Sequence, residues 1–447
     1  MAHNATLIFG HYCPIIERAL SDIGPYRLRL LAVSTAPHRL QLEAIVRGFG
    51  TTPGGLLPAL HALQHAAGYI DRDLIDVLAD TFNISVAEVH GVITFYKDFR
   101  TTPPAGPIVH VCRAEACQAR GGREVWERAQ AKGEGKAVVV EEVFCLGHCA
   151  LGPAVAVDGH LMGGVTTKTI DTIIGNAIAR KPLPESIDSC GDGVTVFVPR
   201  DAASRAAGSD EVASVLAQTP GVRVVRNGSW GMLWLEPMIE VVVDGTRIAY
   251  GPVQATDVPK LLKAGLLTGG DHKLHLGPTM QLPWMQRQQR VTFQRVGLVD
   301  PRSAADYEAN GGIAGLRRAI GMTPSAVVQE VTDSGLRGRG GAAFPTGIKW
   351  KTVLETTDAT KYIVCNADEG DSGTFADRML MEGDPFMLLE GMTIAGFAVG
   401  ASVGYIYVRS EYPEAIEALN EAIKAATAQG WLGESVLGTD FSFYIHV

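Results

Sequence analysis

The sequence predicts a multidomain α/β protein, and three observations lead to this fold class. The chain has 447 residues, more than one ordinary hydrophobic core holds, so about three domains are expected. Apolar residues recur at intervals of three and four through much of the first hundred positions, which indicates helices. After that point, short apolar strands alternate with helical segments and glycine-containing turns, which is typical of mixed α/β layers.

The N-terminal part is predicted to be a helical bundle. Residues 39–100 include the segment LLPALHALQHAAGYI, whose apolar residues follow a helical spacing. Pro53 and Gly54 come just before it, where a helix can start, and Ser85 is a candidate N-cap for a later helix. We assign residues 1–104 to an N-terminal arm and this bundle.

A first α/β unit is predicted over residues 105–182. The segment IVHVC predicts a strand ending at Cys112, REVWERAQAKG a helix, and AVVVEEVFC a second strand ending at Cys145. A hairpin is expected around Asp158 and Gly159, and TKTIDTIIGNAIAR closes the unit as a helix. Strand, helix, strand, hairpin and helix is the element order of a thioredoxin-like layer.

Two further regions follow a linker-like segment that starts at Lys181. Residues 192–290 repeat the strand, helix and hairpin outline without a cysteine, so we expect a second thioredoxin-like domain that has lost its metal site. Residues 291–447 contain the helical segment ADYEANGGIAGLRRAIG, a glycine-rich run and a last strand, FSFYIHV. No partner strand or closing helix follows that strand, so we expect an α/β domain that is incomplete at its C-terminus, in a chain that is a fragment.

Four of the seven cysteines fall within 38 residues and form the most specific signal in the chain. Their spacing is C-x4-C followed by C-x3-C, and one cysteine of each pair ends a predicted strand, so both pairs can meet at one sheet edge. Four thiolates are the usual ligands of an iron–sulfur cluster. Structural zinc is the alternative, since it also takes four sulfurs in two pairs, or a mixed set that includes His148. The four candidate ligands are Cys112, Cys117, Cys145 and Cys149.

A glycine-rich run, GLRGRGGAAFPTGIKW, extends from Gly335 to Trp350. Its glycines leave backbone N–H groups uncovered, so a phosphate or a flat ring can approach closely. Pro345 favours a helix start directly afterwards, and Lys349 adds positive charge for an anion at that helix end. The run fits neither the Rossmann fingerprint, which needs a preceding strand, nor a phosphate loop ending in G-K-[ST]. A flexible loop without a ligand is the alternative.

The segment YIVCNADEGDSGTFADR, from Tyr362 to Arg378, is predicted as an apolar strand followed by an acidic turn. Ligands of α/β proteins usually bind beyond the carboxyl ends of strands, so this turn is a candidate binding site. Its spacing excludes an EF-hand, and a solvated turn is the alternative. The candidate ligand-binding residues are Asn366, Asp368, Glu369 and Asp371.

The stretch from about Leu42 to Asp171 resembles the 24-kDa-type subunit of respiratory complex I. The motifs ITFYKDF, CRAEACQARGG and CLGHCALGPAVAVDG carry the resemblance. Members of that family are thioredoxin-like 2Fe-2S ferredoxins preceded by a small helical bundle. The resemblance therefore implies a 2Fe-2S cluster on the four cysteines.

Residues 298–447 resemble the 51-kDa-type flavoprotein of complex I, whose family binds FMN and NAD(H). The resemblance implies that Phe344 stacks near the nicotinamide and that Asp371 faces NAD(H), although Asp371 replaces the more usual Glu. A later family segment and the cysteines for a 4Fe-4S cluster are missing, so that cluster is expected only if the natural chain extends beyond residue 447. The other residues implied to bind the flavin or the nucleotide are Gly338, Arg339, Gly340, Gly341, Lys349, Asn366, Asp368 and Glu369.

The motif CRAEACQ looks like the small subunit of NAD-dependent formate dehydrogenases. With both modules in one chain, the resemblance implies a fused diaphorase subunit. It would pass electrons from a molybdenum- or tungsten-dependent partner subunit through Fe–S clusters and FMN to NAD+, with no side chain acting as a catalytic acid or base. The alternatives are the flavin subunit of an NAD-reducing hydrogenase or of complex I and, in another class, a zinc-stabilised scaffold without enzymatic activity.

Composition bears on partners and location. The net charge of −9 argues against a nucleic-acid partner. The uncharged run Gly391–Val408 is borderline in length for a membrane span, but its many glycines and alanines and its YIYV end predict a buried helix followed by a strand. The N-terminus does not resemble a signal peptide and disulfides are not expected, so we expect a cytoplasmic protein.

Overall fold

The computed structural model describes residues 36–447, apart from 182–186, 189–190, 340 and 359. The described residues divide into two compact units, one that ends at residue 106 and one that begins at residue 107. The predicted N-terminal arm up to residue 35, most of the predicted linker after Lys181, and Gly340 lie outside the described residues.

The described part of the first unit is built from α-helices, as predicted. Ser85 caps the last of them, because its hydroxyl accepts a hydrogen bond from the Glu88 N–H at 3.2 Å. The Glu88 carboxylate in turn accepts from the Ser85 N–H at 2.8 Å, so the two residues form a capping box and the predicted N-cap is confirmed. The helices are α1 (Ala36–Gly48), α2 (Leu56–Ala67), α3 (Ile75–Phe82) and α4 (Val86–Phe95).

The first module of the second unit, residues 107–181, contains a four-stranded sheet in the order β2-β1-β3-β4. Strand β1 runs parallel to β2 and antiparallel to β3, and the β3–β4 hairpin turns at Asp158 and Gly159, which both have positive φ. The predicted second strand is shorter than expected, since it ends at Val143 rather than Cys145. The elements are β1 (Ile108–Cys112), α5 (Glu115–Gln118), α6 (Gly122–Gly133), β2 (Val139–Val143), β3 (Val155–Val157), β4 (His160–Met162) and α7 (Thr167–Ile178).

The second module, residues 191–290, repeats this arrangement with one more strand. Its sheet has the order β6-β5-β7-β8-β9, with β5 parallel to β6 and antiparallel to β7. The β7–β8 hairpin again turns on an Asp-Gly pair, Asp244 and Gly245, with positive φ at both. The elements are β5 (Val194–Phe197), α8 (Ala202–Ala206), α9 (Ser209–Ala217), β6 (Val222–Val225), β7 (Ile239–Val243), β8 (Thr246–Tyr250), α10 (Val258–Lys263), β9 (His275–Pro278) and α11 (Pro283–Gln286).

The third module, residues 291–447, contains a parallel sheet in the order β10-β11-β12. The predicted helix ADYEANGGIAGLRRAIG is wrong as one element, because it breaks into two at Gly311 and Gly312, and a Cβ on Gly312 would collide with Tyr307. The elements are α12 (Ala304–Ala309), α13 (Ala314–Ile320), α14 (Pro324–Asp333), α15 (Thr346–Glu355), β10 (Tyr362–Ala367), α16 (Ala376–Gly383), α17 (Pro385–Val399), β11 (Val403–Val408), α18 (Pro413–Ala428) and β12 (Tyr444–His446).

The run Gly391–Val408 forms the end of helix α17 and strand β11, which confirms the predicted helix and strand. In the part of the chain that the structure describes, no helix combines the length and the apolar character that a membrane span needs. We propose that residues 105–182, 192–290 and 291–447 are separate domains, since each of these regions builds its own sheet.

Helix α16 is one of the places where the third module contacts the other two. The carboxylate of Glu382 accepts a hydrogen bond from the backbone N–H of Ala202, in the second module, at 2.8 Å. Gly228 of the second module also approaches the backbone of Gly383 so closely that a Cβ would lie 2.9 Å from its Cα. On the first-module side, α16 packs against the loop that carries two of the candidate cysteines.

Candidate iron–sulfur and flavin sites

The parallel pairing of β1 and β2 brings the two cysteine pairs to one edge of the first sheet. Cys112 is the last residue of β1, and Cys145 follows two residues after the end of β2. Cys117 lies in the short helix α5, and Cys149 is the first residue of a single 3-10 helical turn. All four side chains are buried. The predicted meeting of the two pairs is therefore present in the fold.

The four thiols lie close together. The Cys112 thiol is near enough to those of Cys117 and Cys145 to perturb its pKa, and the sulfurs of Cys145 and Cys149 are 3.3 Å apart. Among the described residues, no group of three or more His, Cys, Asp or Glu side chains is arranged to hold a single metal ion. What the fold assembles is a row of four sulfurs.

Two of these cysteines are favoured as thiolates. Hydrogen bonds from Cys112 and Cys149 lower the pKa of Cys145 to about 2, and a hydrogen bond from Cys112 lowers the pKa of Cys117. The backbone N–H of Gly147 donates to the Cys145 sulfur at 3.2 Å. Thiolates are the form in which cysteine binds metals, and N–H groups directed at sulfur are a normal part of iron–sulfur sites. The donor set therefore fits a 2Fe-2S cluster.

His148, the sequence candidate for a mixed zinc site, is buried beside these cysteines. Burial, with a smaller contribution from the positive charge of Arg378, lowers its pKa to about 3, so the imidazole is neutral near pH 7. Neither ring nitrogen has a hydrogen-bond partner among the described residues. The histidine packs against Gly163, where a Cβ would overlap its Nε2.

The third module closes over the cysteine site. The backbone N–H of Gly373 donates to the Cys149 sulfur at 3.2 Å, and the Ser372 hydroxyl donates to the Glu115 carboxylate at 2.6 Å. Arg409 reaches the carbonyl of Phe144 at 3.1 Å. These residues lie more than 220 positions from their partners. No local pattern in the sequence marked them, although Ser372 and Gly373 belong to the acidic segment singled out above.

The glycine-rich loop is closed by its own backbone. The Gly338 N–H donates to the Phe344 carbonyl at 2.9 Å, and the Thr346 N–H donates to the Leu336 carbonyl at the same distance. Helix α15 begins at Thr346, one residue after Pro345, which agrees with the predicted helix start. The loop thus joins a turn of exposed backbone to a helix N-terminus, an arrangement that suits an anion.

The side chains of this loop are open to solvent. Gly341 has φ +96° and nothing within 4 Å of an added Cβ, so its backbone is free to meet a ligand. Arg339 is exposed, Phe344 is 46% exposed, and the Lys349 ammonium lies 5.9 Å from the Phe344 ring centroid. These residues present an aromatic face, a cation and open backbone on one side of the module, which fits a flavin phosphate and ring.

The acidic segment follows β10, as predicted, but its carboxylates have different roles. Glu369 accepts hydrogen bonds from the backbone N–H groups of Asp377 at 2.8 Å and Arg378 at 3.1 Å, so it caps helix α16. The Asn366 side-chain oxygen accepts from the Asp368 N–H at 3.2 Å, and Asp371 is exposed. The glycine-rich and acidic loops are each closed by local hydrogen bonds.

Comparisons with known proteins match two regions of the chain, one with the cysteine site and one with the two loops. Residues 42–177 match the family of thioredoxin-like [2Fe-2S] ferredoxins, and residues 331–447 match the Nuo51 FMN-binding domain. These matches and the geometry confirm the predicted fold class and the 2Fe-2S and FMN cofactors. The four thiols remain the proposed ligands, and the two loops remain the proposed flavin site.

Two relatives of this chain are named as subunits of redox enzymes. The chain is 46% identical over 158 residues to an NADH-quinone oxidoreductase subunit of Rhizobium meliloti (strain 1021), which covers 35% of this chain and 38% of that protein. It is 49% identical over 162 residues to the NADP-reducing hydrogenase subunit HndC of Solidesulfovibrio fructosivorans, covering 36% and 33%. The chain thus spans less than half the length of these relatives.

A solved structure matches across most of the chain. The crystal structure of NAD+-reducing [NiFe]-hydrogenase in the H2-reduced state aligns with 88% of this chain and 50% of that chain, with a TM-score of 0.54 and 22% sequence identity. At this level of identity the likeness shows a shared fold.

Proposed function

We propose, from a thioredoxin-like 2Fe-2S domain and a Nuo51-type FMN-binding domain in one chain, that this protein is an electron-transfer subunit of an NAD(H)-linked oxidoreductase. One observation carries the proposal. In the loop after β10 of the flavin-binding module, the backbone N–H of Gly373 donates a hydrogen bond to the sulfur of Cys149. The two cofactor domains therefore meet at the cysteines. Electron transfer between them is the activity that this proximity favours.

The chain's own residues would bind and insulate the cofactors. Cys112, Cys117, Cys145 and Cys149 would hold the 2Fe-2S cluster out of water, because all four are buried. The open backbone at Gly341 would admit the flavin ring, and Lys349 would neutralise its phosphate. The cluster supplies one-electron transfer and FMN supplies hydride transfer to or from NAD(H), so the protein's part is orientation and electrostatics.

The other predicted residues have narrower roles in this proposal. Phe344 would stack near the nicotinamide, and Asn366, Asp368 and Asp371 would line the flavin and NAD(H) side of the acidic loop. Glu369 would position that loop, because its carboxylate already caps α16. The remaining flavin-loop residues are Gly338, Arg339 and Gly340.

We further propose that the partner is the molybdenum- or tungsten-dependent subunit of a formate dehydrogenase, because the segment CRAEACQ resembles the small subunit of NAD-dependent formate dehydrogenases. The solved neighbour favours a second candidate, an NAD-reducing hydrogenase, because the likeness extends over all three modules of the second unit. Metal analysis of the co-purified complex distinguishes them, since molybdenum or tungsten supports the first and nickel the second. We propose a cytoplasmic location for either assembly.

The proposed function is tested on the purified protein by iron, zinc and flavin analysis together with NADH oxidation by an artificial electron acceptor. We expect about two irons per chain, bound FMN and NADH-dependent acceptor reduction. Equimolar zinc without iron would instead support the non-enzymatic scaffold.

A matched pair of variants tests the cysteine assignment. C112S should lose the cluster, because it removes a thiolate. C365S should keep the cluster, because Cys365 lies on β10, outside the row of four thiols. Loss of iron from both variants to the same extent would contradict the assignment.

A further inference from the structure

A buried arginine of the third module packs directly on the loop that carries two cluster cysteines. Arg378 lies in helix α16, and its side chain is 1% exposed. Gly147 stands midway between Cys145 and Cys149, and a Cβ added there would lie 2.9 Å from the Arg378 Nη1. The guanidinium therefore touches the cysteine loop itself, from the flavin-binding side of the interface.

The charge of this arginine is poorly compensated by the nearby protein. Its Nε lies 3.7 Å from the Glu382 carboxylate, beyond hydrogen-bond distance, and neither Nε nor Nη1 has a hydrogen-bond partner among the described residues. Burial raises the pKa of Glu382 to about 8, so near pH 7 this carboxyl is mostly protonated. A buried cation ordinarily requires a partner, because removing its hydration costs several kcal/mol.

Two aromatic rings, a buried histidine and the carboxylate of Glu369 are also near Arg378. The ring centroids of Tyr412 and Phe375 lie 5.7 and 5.8 Å from its guanidinium carbon. The His148 side chain is also buried. The Glu369 carboxylate is hydrogen-bonded to two backbone N–H groups at the start of α16.

Glu414 is also close enough to interact with Arg378, but its carboxyl group lies 3.5 Å from the guanidinium of Arg205 and is paired with it. The Nη1 atom, which has no hydrogen-bond partner among the described residues, is therefore the part of Arg378 that faces the cysteine loop.

We propose that Arg378 sets the reduction potential of the 2Fe-2S cluster by placing a permanent positive charge against the Cys145–Cys149 loop. The proposal rests on the four cysteines holding the cluster. Reduction adds one electron and no proton, so the cluster gains one negative charge that a buried cation stabilises. Arginine suits this role because it does not deprotonate in proteins. The flavin-binding module thus tunes a cofactor that the first module holds.

The test compares variants of the full chain with the cluster bound. R378Q removes the charge, R378K keeps it, and R318Q removes an arginine that is paired with Glu330 at the surface of the same module. The measurement is a potentiometric titration of the cluster with a chemical reductant, followed by electron paramagnetic resonance. We expect R378Q to disfavour reduction at least tenfold, a downward shift of about 59 mV for a one-electron couple.

R378K should restore most of that shift, and R318Q should leave the potential unchanged because exposed charges are screened by salt. A potential for R378Q equal to that of R318Q, or a shift upward, would overturn the proposal. Because a reductant other than NADH is used, failure of NADH oxidation would count against the proposed function without affecting this result.

A second variant covers the case in which R378Q does not retain the cluster. E382Q removes the adjacent carboxyl and leaves the arginine in place, so the potential must stay the same or rise. A fall in the potential of E382Q would refute the electrostatic role of Arg378. A potential for R378K that stays near that of the wild-type protein would support it.

Discussion

Replacing Gly147 by alanine should destabilise the protein by disturbing the packing between the first and third modules. Gly147 has φ +65°, a backbone conformation that costs a residue with a Cβ about 1–2 kcal/mol. Its added Cβ would also lie 2.6 Å from the Tyr412 Cε1 and 2.9 Å from the Arg378 Nη1, and such overpacking costs about 1–3 kcal/mol. G147A should therefore lower the free energy of unfolding by about 2–5 kcal/mol.

Gly164 provides the matched control for this substitution. It belongs to the same module and has a nearly equal φ of +62°, but nothing lies within 4 Å of an added Cβ. G164A should therefore cost only the backbone term of about 1–2 kcal/mol.

The assay is urea unfolding of both variants, followed by circular dichroism, with iron content measured in parallel. G147A should also lose iron more readily, because the packing over Cys145 and Cys149 is disturbed. Equal destabilisation by the two substitutions would refute the contact between the cysteine loop and α16.

Three further outcomes are expected. S85A should lower the stability of the helical unit by about 1 kcal/mol, because it removes one half of the capping box; an unchanged thermal midpoint would contradict this. The contribution of Glu382 to stability should fall as the pH rises from about 4.5 towards 8, by up to about 1.4 kcal/mol per pH unit, since its raised pKa means that the folded state holds this proton more tightly than the unfolded state. E382Q should flatten that dependence in urea titrations at several pH values, and an unchanged slope would count against a protonated Glu382. K349M should weaken FMN binding about tenfold or more in fluorescence titrations, whereas K351M, at an exposed lysine two residues away, should not; similar losses would exclude a specific role for Lys349.

The local elements were predictable because their signals are local. The strand IVHVC, the Ser85 cap and the hairpin at Asp158 and Gly159 each depend on the conformational preferences of adjacent residues, and the structure has them where the pattern indicated. The predicted helix through Gly311 and Gly312 was wrong because it passed over a local stop signal. Gly311 has φ +82° and the Gly312 N–H donates to the Tyr307 carbonyl at 2.9 Å, so the two glycines end the helix as a C-cap.

The sequence by itself determined the order of elements, the four-cysteine spacing and the family resemblance of two regions, since all three are properties of residue type and spacing. Only the tertiary structure decided what covers the cysteines. Gly373, Arg378 and Arg409 reach that site from more than 220 residues away. Such contacts depend on how the sheets and helices of the modules pack, which no pattern in adjacent residues specifies. The electrostatic environment of the predicted cluster is therefore a product of the interface between modules.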